Sequence, residues 1–173
     1  MTIEVRPLRE DEVDAADAIY RRAFGTFLGL PDPLAFGGDA EILRCRWSAD
    51  PASVSAALED GALAGSNVVT RWGSVGLLGP LSAEPSRQGR GLARALVAEA
   101  LRMLEGPPVA FRGVFTFAQS PAHVGLYQRF GYWPASLAAV MSKAVPPREE
   151  AHSGLELLSR LPGDAQAEAL SEC

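Results

Sequence analysis

The sequence predicts an α/β fold of the α+β type, with a mixed, mostly antiparallel central sheet flanked by helices on both faces. Two alternating segments within residues 53–70 meet at Asp60-Gly61, and this dipeptide is a strong signal for an antiparallel hairpin. Residues 74–143 alternate instead between strand and helix patterns. An antiparallel first half that leads into an alternating second half implies a mixed sheet covered by helices.

The first half opens with a strand in residues 2–8 and a helix over about residues 11–24. Residues 25–39 are rich in Gly, Pro and Phe and form a predicted long loop. A second short helix is expected over residues 40–47, with Asp39 as its N-cap. Because long ordered loops often line ligand sites, the loop is a candidate for ligand contact.

The third predicted strand, residues 74–83, contains Gly79-Pro80. Proline removes a ladder donor, so a regular central strand tolerates it poorly and we expect a β-bulge there. The later elements are predicted in the order helix 88–105, strand 109–117, helix 121–130 and strand 136–143. Residues 146–173 show only weak helical patterning and are expected to form an acidic C-terminal tail.

The composition is that of one ordinary globular domain. The chain has 173 residues, of which 47% are hydrophobic and 21% are charged. No apolar run approaches the roughly 20 residues of a membrane-spanning helix. The charged N-terminus has no apolar segment typical of a secretion signal. We therefore expect a cytoplasmic protein without a membrane partner.

Metal-binding and nucleic-acid-binding classes are disfavoured. The two cysteines, Cys45 and Cys173, are far apart and have no CxxC spacing. The chain has two histidines, His123 and His152, so it offers no zinc constellation and no metal is expected. The net charge is −5, and residues 146–173 carry −4 of it, with two arginines against six acidic residues. The nearly neutral body lacks the basic face of a nucleic-acid binder.

The stretch PSRQGRGLARALV, residues 85–97, leads into a predicted helix. A helix N-terminus exposes amides without intrahelical partners and carries about half a positive charge, so it favours anions. Gly89 and Gly91 let a ligand approach the backbone, and the three arginines of the stretch add mobile charge. A phosphate is the expected ligand, and a glycine-rich turn before a solvated helix is the alternative.

Two common phosphate motifs do not fit this stretch. A P-loop requires Lys followed by Ser or Thr after its last glycine, and the one lysine of the chain is Lys143. A dinucleotide fingerprint requires Gly or Ala where Arg94 stands. The stretch therefore belongs to another type of anion-binding loop.

The motif QGRGLA, residues 88–93, fits the pattern Q/R-x-x-G-x-G/A and resembles the acetyl-CoA loop of the GNAT-type N-acetyltransferases. A second motif, GLYQRFGYWPA at residues 125–135, is similar to the family's helix that carries a tyrosine before a Gly-aromatic turn. The resemblance covers about residues 3–145. It implies an acetyltransferase domain over residues 1–145, the acyl-CoA N-acyltransferase fold, and a bulged strand splayed from its parallel neighbour.

The resemblance implies that acetyl-CoA is the co-substrate and that the acceptor is a primary amine of a small molecule or peptide. Pantetheine is implied to lie between the splayed strands, beside the backbone groups of Leu81 and Ala83. Ser120 stands where the family often has an asparagine, and Ser-Pro is a common helix start, so N-capping is its simpler role. The residues implied to contact acetyl-CoA are Leu81, Ser82, Ala83, Gln88, Gly89, Arg90, Gly91, Leu92, Ala93, Arg94, Ser120 and His123. For His123, which lies one turn before Tyr127, a surface position or packing at the helix start is the alternative.

Tyr127 resembles the catalytic tyrosine of the family and is implied to protonate the departing thiolate. The alternative is an amphipathic tyrosine anchored in the core. Many relatives use a glutamate on the bulged strand as the base, but residues 61–83 contain no Asp, Glu or His. Three alternatives remain open for the base: ordered water, Asp39 or Glu41, and an amine that arrives neutral.

Acceptor recognition is expected from the predicted long loop and from one strand end. Two functions besides catalysis stay open, namely a non-catalytic acyl-CoA-binding or sensing module and an interaction domain that kept the fold without the cofactor. The second is disfavoured because Gln88, Gly91 and Ala93 are all present. A homodimer is compatible with each function. The candidate acceptor contacts are Phe27, Leu30, Phe36, Arg71 and Trp72.

Overall fold

A computed structural model describes residues 1–139, 141, 143 and 160–171. The chain divides into two units, residues 1–137 and 138–173. The first unit contains the sheet and the helices that cover it. In the second unit the described residues include one helix, Gly163–Ser171.

The five strands form one sheet in which the strand order follows the sequence. They are β1 (Ile3–Pro7), β2 (Val54–Glu59), β3 (Ala62–Trp72), β4 (Val75–Ala83) and β5 (Phe111–Val114). Neighbours from β1 to β4 are antiparallel, whereas β4 and β5 are parallel. Asp60 and Gly61 join β2 to β3 with positive φ angles of 50° and 81°, as a tight hairpin turn requires. The predicted mixed, mostly antiparallel sheet is confirmed.

Helices cover both faces of this sheet, as predicted. They are α1 (Val13–Leu28), α2 (Ile42–Ala49), α3 (Leu92–Met103) and α4 (Pro121–Gln128). Val68 packs with residues of α1 and α2, whereas Val69 packs with residues of α3 and α4. Because successive strand side chains point to opposite faces, the two helix pairs lie on opposite faces of the sheet. No helix among the described residues is long and apolar enough to cross a membrane.

The apolar stripe of α3 fixes this helix against the sheet. Leu92, Leu96, Val97 and Ala100 follow the spacing of one helix face, and all four are buried. Full burial of a Leu or Val side chain stabilises a fold by roughly 1.5 to 3 kcal/mol. This packing holds the N-terminus of α3 close to the end of β4, since Leu92 and Leu96 share a cluster with Ala83.

The predicted loop over residues 25–39 is shorter than expected, because α1 continues to Leu28. Gly29 ends the helix with φ of 70°, a left-handed conformation typical of a helix C-terminus. Phe27, placed in the loop by the sequence, is therefore held on the last turn of α1.

The start of α2 also differs from the prediction. The helix begins at Ile42 after Glu41, so Asp39 is not its N-cap, and no side chain caps this end. Arg21 of α1 donates hydrogen bonds to backbone carbonyl groups of the segment before α2, and one of them reaches the Ala40 carbonyl oxygen at 2.6 Å. Tertiary contacts to the carbonyl groups, rather than a local cap, fix where the segment turns into the helix.

Two elements of the second half depart from the sequence prediction. α3 begins at Leu92 and not at residue 88, because Gly89 and Gly91 have φ angles of 78° and 97° that a right-handed helix excludes. The strand predicted over residues 136–143 is absent at 136–139, 141 and 143, and residues 140 and 142 lie outside the described residues. A strand requires hydrogen-bond partners on a neighbouring strand, and these described residues have none.

Candidate functional site

A β-bulge interrupts β4 at the predicted position. Asn67 pairs with Leu81 and Val69 pairs with Leu78, so Gly79 and Pro80 together stand opposite one residue of β3. Gly79 adopts φ of 118°, which a residue with a side chain rarely adopts. The proline lacks an N–H group, and the extra residue of the bulge accommodates this missing donor.

The two parallel strands separate directly at this bulge. Their last pair is Leu78 with Val114, and β4 then continues to Ala83 while paired with β3 alone. Residues 115–119, which follow β5, do not continue the strand. We call the opening between residues 79–83 and 115–119 the splay. The edge of β4 that faces it carries backbone groups without a strand partner, and an extended ligand can bind such an edge.

The predicted β4 contacts present backbone rather than side chains to the splay. Leu81 and Ala83 pack with the buried residues of α3. The hydroxyl of Ser82 lies 3.2 Å from that of Ser66 and is buried. These side chains thus point to the two faces of the sheet. What the three residues present to the splay is their backbone amide and carbonyl groups, which lie in the plane of the sheet.

The loop from β4 to α3 forms the second part of the site. It starts with a 3₁₀ turn over Pro85–Arg87, and Gly91 then occupies the N-cap position of α3 without a side-chain cap. A Cβ atom added to Gly89 would have no heavy atom within 4 Å, so this glycine borders open space. The first amides of α3 are available to an anion, because a helix does not satisfy them internally. Leu92 has a buried side chain and contributes its backbone.

Ion pairs hold this loop on both sides. Arg87 and Arg90 place Nη1 atoms 3.5 and 3.3 Å from Oε2 of Glu59, a residue that is 5% exposed at the end of β2. On the other side, Nε of Arg22 in α1 lies 3.2 Å from Oε2 of Glu84. Two of the arginines expected to be mobile are therefore bound to a buried carboxylate, which limits the positions the loop can adopt.

Tyr127 lies in a packed cluster beside the splay. It is 8% exposed and shares this cluster with Leu78, the last β4 residue that pairs with β5. Burial, with a smaller contribution from Tyr132, raises the pKa of Tyr127 to about 12. The hydroxyl is therefore protonated at neutral pH and is available as a proton donor. The core-anchored and the catalytic interpretations of this tyrosine are compatible in this geometry.

Ser120 caps α4. Its hydroxyl accepts a hydrogen bond from the His123 amide at 3.4 Å, and Pro121 occupies the first helical position. Ser120 is buried, with 9% of its surface exposed. The capping role that the Ser-Pro pair predicts is present, and it fixes the start of the helix that carries His123 and Tyr127.

His123 projects into an aromatic cluster that joins α1 to the segment after β5. Its ring centroid lies 4.8 Å from that of Phe27 in an edge contact and 5.8 Å from that of Phe117. Phe27 and Phe117 are themselves 4.7 Å apart. Nδ1 of His123 is buried and has no hydrogen-bond partner in the part of the chain that the structure describes. Burial lowers the pKa of this imidazole.

The expected acceptor contacts do not form one cluster. Phe27 is 41% exposed at the aromatic cluster, whereas Phe36 stacks on Phe24 in the core on the α1 face.

The other expected contacts lie elsewhere. Arg71 donates a hydrogen bond to the Met103 carbonyl at the far end of α3. Trp72 pairs with the first residue of β4, several residues before the splay begins. Leu30 is half-buried just beyond α1. Of these residues, the structure brings Phe27 to the wall of the splay.

The two acids expected as alternative bases lie beside the part of α1 that contains Arg21. Glu41 lines a cavity of about 320 Å³ together with Val13, Asp14 and other residues of the α1–α2 face. Asp39 lies two residues earlier in the chain. This cavity extends along α1 from Val13 to Arg21, and Arg21 lies six residues, or about 9 Å along the helix axis, before Phe27.

The sequence analysis did not identify two residues that contribute to the site. It placed Phe117 only at the end of a predicted strand, but Phe117 borders the splay and contacts His123. Glu59 appears only beside a hairpin turn, yet it binds two arginines of the loop. The one charged residue of a buried strand is the available sequence signal for Glu59. Among the described residues, no group of three or more His, Cys, Asp or Glu side chains is placed to hold a metal ion.

Comparison with known proteins gives a family match over most of the chain. The sequence profile described as the acetyltransferase (GNAT) family matches residues 15–132. This range includes most of α1, the splay, the loop before α3 and Tyr127. No curated protein sequence matches the chain significantly.

Solved structures share this fold at low sequence identity. The ribosomal-protein-S18-alanine N-acetyltransferase from Escherichia coli is 21% identical, with a TM-score of 0.61 over 78% of this chain and 80% of that chain. A GNAT family acetyltransferase from Brucella melitensis in complex with acetyl-CoA is also 21% identical, with a TM-score of 0.58 over 83% and 94%. The PaiA N-acetyltransferase from Thermoplasma acidophilum in complex with coenzyme A is 15% identical, with a TM-score of 0.60 over 75% and 89%.

Proposed function

Because this chain belongs to the acetyltransferase (GNAT) family, we propose that it is an acetyl-CoA-dependent N-acetyltransferase. It moves an acetyl group by direct transfer to a primary amine of a small molecule or peptide. The observation that carries this proposal is the shared cluster of Tyr127 and Leu78, because it packs the side chain of a tyrosine that is protonated at neutral pH against the last β4 residue before β4 and β5 separate.

The phosphates of acetyl-CoA are assigned to the loop before α3. Gly89 and Gly91 leave the backbone accessible there, and the first turn of α3 supplies free amides and a favourable dipole. Two solved structures of the same fold whose names include coenzyme A or acetyl-CoA support this ligand. The residues proposed to contact acetyl-CoA are Leu81, Ser82, Ala83, Gln88, Gly89, Arg90, Gly91, Leu92, Ala93, Arg94, Ser120 and His123.

The splay is assigned to pantetheine. A pantetheine chain carries amide groups, and the backbone of Leu81 and Ala83 offers complementary groups along the free edge of β4. The thioester then lies toward the bulge, near Leu78 and Tyr127. Ser120 contributes mainly by fixing α4, since its hydroxyl already accepts the His123 amide.

Tyr127 is the proposed general acid. The acceptor nitrogen attacks the thioester carbonyl, and the carbon–sulfur bond then breaks and leaves a thiolate that requires a proton. The raised pKa of Tyr127 keeps its hydroxyl protonated at neutral pH, and the surrounding apolar residues exclude competing water. General-acid assistance of this kind is worth roughly 10² to 10⁴ in rate.

Thermal unfolding with acetyl-CoA tests the binding part of the proposal. At 100 times its Kd, a ligand that binds only the folded state stabilises it by about 2.7 kcal/mol. A clear rise in Tm is expected with acetyl-CoA, and a smaller one with the adenosine part alone. No change in Tm at millimolar acetyl-CoA would contradict the proposal.

Release of free thiol tests the transfer. The protein is incubated with acetyl-CoA and a panel of primary amines that includes small amines and peptides with free N-termini. Amine-dependent thiol release indicates a transferase, whereas binding of acetyl-CoA without thiol release from any amine indicates a non-catalytic binding module. Mass spectrometry of the acetylated product identifies the acceptor.

A further inference from the structure

We infer that His123 is the general base of the acetyl transfer and accepts the proton that an ammonium acceptor must lose before it attacks the thioester. The inference rests on the proposed function, because it assigns a step within that reaction. A base is needed since a protonated amine has no lone pair available for attack. The family resemblance implies only a cofactor contact for His123, so this role is additional.

Neither wall of the splay contains a carboxylate. Residues 61–83 have no Asp, Glu or His, and residues 106–137 have no Asp or Glu and a single histidine, His123. Glu84, the first acid after β4, is paired with Arg22 of α1. Within these two ranges, His123 is therefore the one side chain whose ordinary pKa suits it to accept a proton near neutral pH.

The geometry directs His123 toward the site. It lies one helical turn before Tyr127, and side chains four residues apart project from the same face of a helix. Its ring contacts Phe117, which belongs to the segment that forms one wall of the splay, and Phe27 from α1. The base and the acid thus lie next to each other on α4, on the side where the acceptor and the thioester must meet.

A buried nitrogen without a partner supports the assignment. Nδ1 of His123 has no hydrogen-bond partner among the described residues. A buried polar atom in this condition is destabilising unless a water molecule or a ligand satisfies it. An acceptor ammonium group, which carries only donors, is the complementary partner for an unprotonated ring nitrogen.

The protonation state is the one a base requires. Burial lowers the pKa of His123, and it is the only cause of the shift. Phe27 from α1 and Phe117 from the wall of the splay carry no charge. Tyr127, on the same face of α4, has a pKa of about 12 and is neutral. The imidazole is therefore uncharged at neutral pH and has a free lone pair.

The protons balance in a defined sequence. His123 takes one proton from the acceptor ammonium, and the freed lone pair forms the bond to the thioester carbon. When the carbon–sulfur bond breaks, its electron pair leaves on sulfur, and the Tyr127 hydroxyl gives that sulfur a proton. The second proton on the acetylated nitrogen then returns to the Tyr127 oxygen. The products are the amide, the CoA thiol and protonated His123, which loses its proton to solvent.

Two amines of similar shape separate base catalysis from structural damage. Benzylamine is cationic at neutral pH and requires a base, whereas aniline is already neutral. We expect His123→Gln to lower kcat/KM for benzylamine by roughly 10² or more and to leave turnover of aniline nearly unchanged. In the wild type, kcat/KM for benzylamine should rise with pH through a pKa below 6.5, and this limb should disappear in the variant. Both amines are compared at saturating acetyl-CoA, so that loss of the proposed His123 contact to the cofactor does not enter the comparison.

Each other outcome overturns the role of His123. Equal losses with both amines would show a structural role, and full activity of His123→Gln with benzylamine would show that the proton goes to another acceptor. Wild-type protein that binds CoA but releases no thiol with any amine of the panel would overturn the transferase itself, together with its base. Lack of CoA binding would overturn the proposed function at an earlier step.

A second variant, His123→Ala, tests the same role by chemical rescue. It should recover benzylamine turnover when imidazole is added, and absence of recovery in a folded variant counts against the role of His123 as the base.

Discussion

The carboxylate of Glu59, at the end of β2, lies 3.3 Å from Nη1 of Arg90 in the loop before α3. The same carboxylate also binds Arg87 at 3.5 Å. Glu59 is almost fully buried, while the two arginine side chains are 32% and 50% exposed. One buried negative charge thus holds two cations at the edge of the proposed phosphate site, and its removal leaves both without their internal partner.

Glu59→Gln is expected to destabilise the fold by about 1 to 3 kcal/mol, because it removes charged hydrogen bonds from a buried position. The matched control is Glu99→Gln, which breaks the pair between Glu99 and Arg102 on the surface of α3. Exposed helix pairs contribute little, so the control should lose much less stability. Urea unfolding of both variants measures the difference in the free energy of unfolding. Equal losses of stability would mean that burial does not strengthen the ion pairs of Glu59.

The same variant should alter CoA affinity through charge. Glu59 lies beside the site proposed for the strongly anionic phosphates of CoA, and its loss leaves Arg87 and Arg90 without a neutralising partner. We expect tighter CoA binding at low ionic strength and a smaller difference in 1 M salt, where the screening length falls to about 3 Å. Calorimetric titrations at two salt concentrations test this. Weaker binding at both would show instead that Glu59 positions the arginines for CoA.

Gly89→Asp is expected to abolish CoA binding without unfolding the protein. The added Cβ meets open space, but the carboxylate enters the position assigned to the phosphates. Gly73→Asp is the control, because Gly73 also has positive φ and open surroundings but lies in the turn between β3 and β4. Both variants carry similar backbone strain. Equal loss of CoA affinity in the two would place the phosphates elsewhere.

Tyr127→Phe should preserve CoA affinity and lower kcat by at least about 10², equivalent to about 3 kcal/mol in the barrier. The hydroxyl acts on a thiolate that forms only as the thioester breaks, so it contributes to the transition state and not to ground-state binding. Because the pKa of Tyr127 is about 12, its ionisation should not reduce kcat until the pH approaches that value.

Tyr132→Phe is the matched control for the loss of a hydroxyl. Its ring centroid is 6.3 Å from that of Tyr127, and its buried hydroxyl has no partner within the described residues. This variant should retain kcat and stability, since no hydrogen bond is lost. Single-turnover measurements at saturating acetyl-CoA compare the two, and identical rates for wild type and Tyr127→Phe would remove Tyr127 from the mechanism.

Glu12→Gln should reduce stability at neutral pH by about 1 to 2 kcal/mol. Glu12 accepts a hydrogen bond from Arg6 at 2.6 Å and another from Arg9, and the first of these is the main cause that lowers its pKa from 4.5 to about 2. A carboxyl group with a lowered folded-state pKa stabilises the fold above its unfolded pKa, and this stabilisation is lost as the pH falls through the folded value.

Unfolding curves of wild type and Glu12→Gln at several pH values check that sign. The difference in unfolding free energy should be largest above about pH 4.5 and should close as the pH approaches 2. A difference that stays constant over this range would mean that the ionised form of Glu12 is not what stabilises the fold.

Several features of the fold follow from local sequence and were predictable. Asp60-Gly61 specifies a hairpin because few residues accept the positive φ angles of its turn, and Gly79-Pro80 specifies a bulge because proline has no donor for the ladder. Gly89 and Gly91 likewise open the backbone before α3. The prediction of a final strand at 136–143 was wrong for the described residues of that range. An alternating pattern gives no information on whether another strand is close enough to pair with it.

The sequence by itself determined the order of the elements as far as α4, the bulge, the glycine-rich loop before α3 and the helix that carries Tyr127. Each depends on backbone preferences of residues adjacent in the chain. Only the tertiary structure decided that Glu59 binds the arginines of the loop, that Phe27 and Phe117 surround His123, and that Arg71 and Trp72 lie away from the splay. These contacts join residues far apart in the chain, and they arise because side-chain packing fixes which faces of α1, α3 and α4 meet the sheet.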